Sequence, residues 1–455
     1  MRTRLEEVPP DVVSFSRLLL LDTLGALLGG LRYPAVQALA RRVAGEDSAD
    51  VPFGRLMTLG TAATWLDADS GGSFHPQGHR LPPVPTAHPA PHSLPVLLHE
   101  AATTGVDDRR LLEVFVVANE LGMRAGIASS LRPGLHPHGV HGPGAAAVAA
   151  ALLRGMSGEE VGAAFLLGSS MPVAATLAVP MQGGTVRNVW TGLGTYYGAS
   201  AAHRVAGGAT GSEHLFSALF DGAVCEGLTT DELLSGLGTT WQIANSYLKP
   251  YACARWIHPA LDAVQLAVGD EQLTTDDVAA IQVDTFAFAA SLNTVDIGSD
   301  MQARFSLPYC LAALLTDGHL HAGSFLPEGL SRGSVLDLAR RVDLREDAGC
   351  TAALPAERPT RVTLRTTDGR TLTAGVRNAR GNPSSPMSSA DVERKFFVNA
   401  GNVVAPRLLD RVAEGMAGGE YGRHLSALAA ALMVAPCVTE ANPSPLDLTV
   451  IEDES

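Results

Sequence analysis

This sequence predicts a mainly helical protein carrying an α+β lid, and three observations support that. Apolar and small residues recur at helical spacing through most of positions 1–248. Strand-like alternation and a hairpin signal appear only after Lys249. Helical patterning then returns from about Asp391 to Leu432. The chain therefore divides into an all-helical unit built from both chain ends, residues 1–248 and 394–455, and an inserted α+β unit, residues 249–393.

Phe15 to Leu31 carries apolar residues at helical spacing, with Gly25, Gly29 and Gly30 allowing close approach of a neighbour. Leu111 to Ile127 repeats the pattern, and Gly144 to Arg154 is almost all Ala and Leu, as in a helix buried on most sides. Ser157-Gly-Glu-Glu160 and Thr229-Thr-Asp-Glu232 read as capping-box helix starts. Trp190 to Val205 continues the helical pattern; its Gly192, Gly194 and Gly198 follow no strand, so they read as packing glycines. Ala280 to Phe286 alternates as a strand. Arg361 to Val376 is a hairpin with Asp368-Gly369 at its turn. Gly381 to Ser389 is a loop, and the acidic tail from Glu440 to Ser455 is expected to be mobile.

Composition narrows the function. Apolar residues make up 46% of 455, enough for a large core, while charged residues are only 18%. Lys and Arg number 33 against 47 Asp and Glu, a net charge of −14, which argues against a nucleic-acid partner. The 5 cysteines are widely spaced and form no C-x-x-C pair, as expected of reduced cytosolic thiols. The N-terminal residues lack the apolar core of a signal peptide. Val161 to Val186 is uncharged and long, but Pro172 and Pro180 interrupt it, so buried helix and turn are expected and no membrane partner. No G-x-S-x-G, H-E-x-x-H or G-K-[ST] motif is present.

The densest chemistry lies in Lys249-Pro-Tyr-Ala-Cys253-Ala-Arg255-Trp-Ile-His258-Pro-Ala-Leu-Asp262. Lys249 and Arg255 can hold carboxylates, His258 can move protons, and Pro250 biases Lys249 away from helix. Asp67 and Asp69 precede Ser70-Gly71-Gly72; they suit a base, an orienting group or a metal ligand, or simply a solvated turn. His75, His79, His88 and His92 lie along a Pro-rich stretch from which one functional histidine is expected. His136-Pro-His138-Gly-Val-His141 leads into the Ala-rich helix; an anion site at a helix start, a metal site and a structural turn remain alternatives. Arg187, just before a helix, can clamp a carboxylate, and Tyr309 offers a hydroxyl beside a Pro bend.

Taken in order, these segments resemble the MmgE/PrpD family over nearly the whole chain. The resemblance rests on Leu20-Leu-Asp-Thr-Leu-Gly25, Trp65-Leu-Asp-Ala-Asp69, His88-Pro-Ala-Pro-His-Ser-Leu-Pro95 and Leu135-His136-Pro with Gly142 to Ala151. It continues through Gly184-Thr-Val-Arg-Asn188, Lys249-Pro-Tyr-Ala-Cys253, Phe305-Ser-Leu-Pro-Tyr309 and Asn382-Pro-Ser-Ser-Pro-Met387 with Lys395-Phe396. Each motif is modest alone; their number and order carry the resemblance. It implies a helical domain plus an α+β lid, a cytoplasmic homodimer, an active site between the domains and no metal or organic cofactor.

By position, the resemblance gives Asp67 the catalytic acidic place and His88 and His136 the proton-handling places. Lys249 and Tyr309 would contact substrate carboxylates. Arg187 stands where many family members have Lys, and Arg is a poor proton donor. Asp69, Cys253, Arg255, His258 and His138 complete the expected binding set; His138 replaces a usual Thr. Gly71 to Ala87 lengthens the acidic loop, and Ser70 or Ser73 stands in for an expected hydroxyl residue. The implied activity is proton transfer at carbon next to a carboxylate. A 2-methylcitrate dehydratase-like hydro-lyase is expected first. A decarboxylase or an isomerase/epimerase, a specialised-metabolism cyclase and a silent binding protein are the alternatives.

Overall fold

A computed structural model describes residues 3–43, 51–74, 84–85, 87–172, 176, 178–271, 273–401, 403–419 and 421–434, with the backbone alone at 73, 74, 84 and 85. His75, His79 and the acidic tail lie outside the described residues.

The first helix, α1 (Pro10–Leu31), starts earlier than its apolar pattern suggests, because Pro10 is tolerated in a first helical turn. It is long and apolar enough to cross a membrane, yet 78% of its most apolar window is buried inside the fold. It crosses α2 (Phe53–Trp65) in backbone contact, since a Cβ on Gly30 would lie 2.0 Å from the Ala62 carbonyl oxygen. After α2 the chain forms β1 (Gly71–Phe74), then α3 (Ala90–Thr104) and α4 (Asp108–Ala128), the latter capped by the Asp107 side chain. The Ala-rich segment is α5 (Gly142–Leu153), buried throughout except at Leu153. Such small side chains let α3, α4 and two later helices, α6 (Gly158–Ser169) and α7 (Val186–Ala206), all pack around it. Helix α6 begins at the Ser157/Glu160 capping box. The uncharged run from Val161 is thus broken at Ser169 and resumes as helix before Val186. Thr229 opens only a short helix, Thr230–Leu234, and makes no side-chain capping bond, so that expected capping box does not form.

The short strand β2 (Ser246–Tyr247) pairs antiparallel with β1, Gly71 facing Tyr247, and so lays the acidic loop beside the segment that starts at Lys249. Beyond it come α8 (His258–Val268), β3 (Val278–Thr285), α9 (Leu307–Asp317), β4 (Val342–Glu346), β5 (Thr360–Thr366) and β6 (Thr371–Val376). The sheet order is β4-β3-β5-β6, with β3 and β4 parallel and the other pairs antiparallel. The hairpin register is Leu364 opposite Leu372, as the Asp-Gly turn requires, and α8 covers β5 and β6. The expected single helical return is three helices, α10 (Ser389–Ala400), α11 (Pro406–Gly418) and α12 (His424–Val434). Helix α10 packs on α1 and α12 on α3, so early and late segments share one apolar core.

Candidate active site

Five separate segments converge on one cavity of about 270 Å³. Asp67, His88, His136, Arg187, Lys249 and Arg255 line it; Asp69 and His138 are fully buried beside them. Asp67 follows α2 with a φ of +50°, a left-handed conformation that costs a non-glycine residue and concentrates at functional sites. Its Oδ1 accepts from Lys249 Nζ at 2.6 Å and from Arg187 Nη2 at 2.7 Å. Lys249 also donates to the Asp67 carbonyl at 2.9 Å, and Arg187 Nη1 to the Thr64 carbonyl at 3.0 Å. Burial alone would lower the pKa of both cations, but Asp67 and Asp69 outweigh it and raise them, so both stay charged.

Asp69 stands one shell deeper. Its Oδ1 lies 3.5 Å from Arg187 and 3.9 Å from Lys249. Its Oδ2 makes close contacts with His138 Nε2 at 3.1 Å and His88 Nδ1 at 3.2 Å, off the line of an aligned hydrogen bond. Burial pushes this carboxyl up, but Lys249 and then His138 hold it well below the usual carboxylate range. Two aspartates against one arginine and one lysine make a neutral cluster.

Three imidazoles stack beside it. Their centroids form a triangle, His138 lying 4.1 Å from His88 and 4.8 Å from His136, with His88 and His136 6.2 Å apart. His88 Nδ1 sits 2.7 Å from the Ser70 carbonyl, which can only accept, so Nδ1 carries the proton and Nε2 keeps its lone pair. Gly71 permits this approach: a Cβ there would lie 2.5 Å from His88 Cε1. His136 Nδ1 accepts the His138 backbone N–H at 3.2 Å, which leaves the proton on Nε2. Burial, then Arg187, drives His136 well below the ordinary imidazole value; burial, then His88, does the same to His138.

Asp69, His88 and His138 each place a donor atom within 4.8 Å of the others, as a metal ion would require. Arg187 Nη2 lies 3.1 Å from His138 Nε2, however, so a fixed guanidinium already holds the position next to these donors. The spacing His136-x-His138-x-x-His141 does not converge as a three-histidine site: His141 turns to the Ser129 hydroxyl at 2.9 Å. His92 is fully buried, with Gly139 N 3.4 Å from its Nε2.

Three expected contacts fall elsewhere. The Tyr309 hydroxyl donates to the Ser324 carbonyl at 2.7 Å, deep in the core, from the first turn of α9 that Ser306 caps. Cys253 is fully buried and its thiol is pushed well up, first by burial and then by the neighbouring Cys310. His258 Nε2 lies 3.1 Å from the Cys253 carbonyl and fixes the loop before α8. None of the three lines the cavity. The Ser70 backbone carbonyl, not its hydroxyl, is what bears on His88, and the Ser73 side chain lies outside the described residues.

Sequence reasoning missed three contributors. Arg358 and Tyr247 line the cavity without a local motif. Asp22 binds Lys395 Nζ at 2.6 Å, and Lys395 also donates to the Ala68 carbonyl at 2.8 Å, clamping the acidic loop from below. The signal for that clamp was a single Asp inside the apolar run of α1.

Comparison with known proteins covers nearly the whole chain. Residues 1–224 match the MmgE/PrpD N-terminal domain and residues 251–414 the MmgE/PrpD C-terminal domain. A cis-aconitate decarboxylase of Aspergillus terreus is 26% identical over 88% of this chain and 87% of its own length. The cis-aconitate decarboxylase-like protein oryM of Aspergillus oryzae is 23% identical over 93% of each.

Proposed function

The chain belongs to the MmgE/PrpD family, and we propose that it is a lyase acting on a small polycarboxylate by proton transfer at carbon next to a carboxylate. The observation that carries this reading is the Asp69–His88 pair at the cavity wall, with His88 Nε2 free to take a proton. The Ser70 carbonyl orients the ring, and the nearby Asp69 carboxylate stabilises the imidazolium formed there. Lys249 keeps a third N–H beyond its two bonds to Asp67, available to a substrate carboxylate whose adjacent carbon is gaining negative charge. His136 Nε2–H offers a hydrogen bond to a leaving oxygen or to the product.

In a hydro-lyase, His88 Nε2 takes the α-proton, the C–H electron pair forms the C=C bond, the C–O bond breaks, and the departing hydroxide takes up that proton and leaves as water. The free lone pair on Nε2 supports this order. Decarboxylation is the second reading, supported by relatives named cis-aconitate decarboxylase. There the C–CO2 bond breaks, its electron pair stays on the carbon skeleton, and His88, protonated at Nε2 by water, gives that proton to carbon. In this proposal the enzyme needs no metal or organic cofactor and works as a cytoplasmic homodimer, with residues 249–393 forming the lid.

NMR in D2O with citrate-like acids, cis-aconitate, hydroxy-dicarboxylates and amino-dicarboxylates tests the reading. Deuterium at carbon with loss of water identifies the hydro-lyase; release of CO2 identifies the decarboxylase. His88→Ala should lower turnover about 10²- to 10⁴-fold with the fold retained. No exchange with any acid from folded protein, or full activity in His88→Ala, refutes it.

A further inference from the structure

Charge counting leaves two cations in the cavity without counter-charge. Arg187 and Lys249 are matched by Asp67 and Asp69. Arg255 and Arg358 line the same cavity, and among the described residues neither forms an ion pair with a carboxylate. Arg255 lies over the Tyr247 ring, 3.6 Å from its centroid, and donates to Asn382 Oδ1. Arg358 is only 8% exposed and lies 5.0 Å over Trp256; its Nε is buried without a hydrogen-bond partner. Burial, and then the charge of Arg255, push Arg358 down to about 9. Two neighbouring guanidiniums short of solvent are costly, and a bridging anion removes the cost through charge-assisted, fork-shaped hydrogen bonds.

The two arginines also share one framework. Arg358 lies two residues before the start of β5, and Arg255 precedes α8, which packs on β5 and β6. The histidines and Arg187 come instead from the starts of α3, α5 and α7. Binding and proton transfer are thus carried by different parts of the chain.

We propose that Arg255 and Arg358 form a carboxylate subsite distinct from the proton-transfer cluster, selecting acids with three carboxylates over those with two. The inference rests on the polycarboxylate reading and deepens it. One carboxylate sits beside the reacting carbon at Lys249, and the two unmatched cations balance two more. The planar fork of Arg suits carboxylate geometry, and Trp256 and Phe305 supply an apolar flank for the carbon skeleton.

Calorimetric titration of the full chain with two unreactive probes, propane-1,2,3-tricarboxylate and glutarate, tests this. The wild-type protein should favour the tricarboxylate. In Arg358→Met that preference should fall on the order of 10- to 100-fold, the loss expected for charge-assisted hydrogen bonds. Arg255→Met should act in the same direction, and Arg358→Lys should restore part of the preference. An unchanged preference in both Met variants, or equal wild-type binding of both acids, overturns the subsite while leaving the lyase reading intact. Binding of neither acid overturns both.

Discussion

Mild acid should destabilise this protein through its buried imidazoles. His92 is pushed down to about 3 and His141 to about 4, both by burial first and then by His88. His136, His138 and His258 are driven well below the ordinary value of 6.5, also first by burial. Because the folded values are depressed, all five rings are neutral in both states above the unfolded value, and nothing is lost there. As pH falls below 6.5 the unfolded chain binds protons that the fold refuses, so stability drops. At pH 5.5 each ring costs about 1.4 kcal/mol, and five together cost about 7 kcal/mol. That is a large part of a typical 5–15 kcal/mol stability. With an unfolding entropy of ~2.1 cal/mol/K per residue over 455 residues, it corresponds to a fall in Tm of about 7 °C. Asp22, Glu100 and Asp108 oppose this: burial raises them, the fold takes their protons first, and stability is gained on acidification. A variant comparison isolates the imidazoles. Scanning fluorimetry at pH 7.5 and 5.5 should show the drop shrinking by about 3 °C in the double variant His141→Gln, His258→Gln. An identical drop in variant and wild type would refute the assignment of these rings as neutral.

Two further substitutions separate charge balance from packing. Asp67→Asn removes the carboxylate that holds both Lys249 and Arg187, and should cost about 3–5 kcal/mol in urea unfolding as well as turnover; a cost below about 1 kcal/mol would show that these cations are otherwise compensated. Tyr309→Phe removes a hydroxyl whose partner is a core carbonyl, so kcat/KM should stay within about twofold while stability falls by about 1 kcal/mol. A hundredfold loss of kcat/KM would return Tyr309 to the catalytic set.

Much of the helical order was legible because its cause is local. The Ala-rich run before Leu153, the Ser157/Glu160 box and the Asp368-Gly369 turn each encode an element through nearby residues alone. The capping reading at Thr229 failed because a matching local pattern did not secure the side-chain bond. Asp67, His88, His136, Arg187 and Lys249 were legible as chemistry in apolar or Gly-Pro surroundings, but their partners were not. Sequence suggested that Arg187 and Lys249 would bind substrate; it gave no sign that both also hold Asp67.

What the sequence by itself determined, then, was the family, the mainly helical class and a short set of reactive side chains, because periodicity and motif order are properties of neighbours along the chain. Tertiary structure alone decided that His138 packs against two other imidazoles, that Tyr309, Cys253 and His258 face the core, and that Arg358 joins Arg255 at the cavity. Those outcomes depend on which distant elements share a wall, and on which charges are neutralised once water is removed. No local pattern carries either quantity.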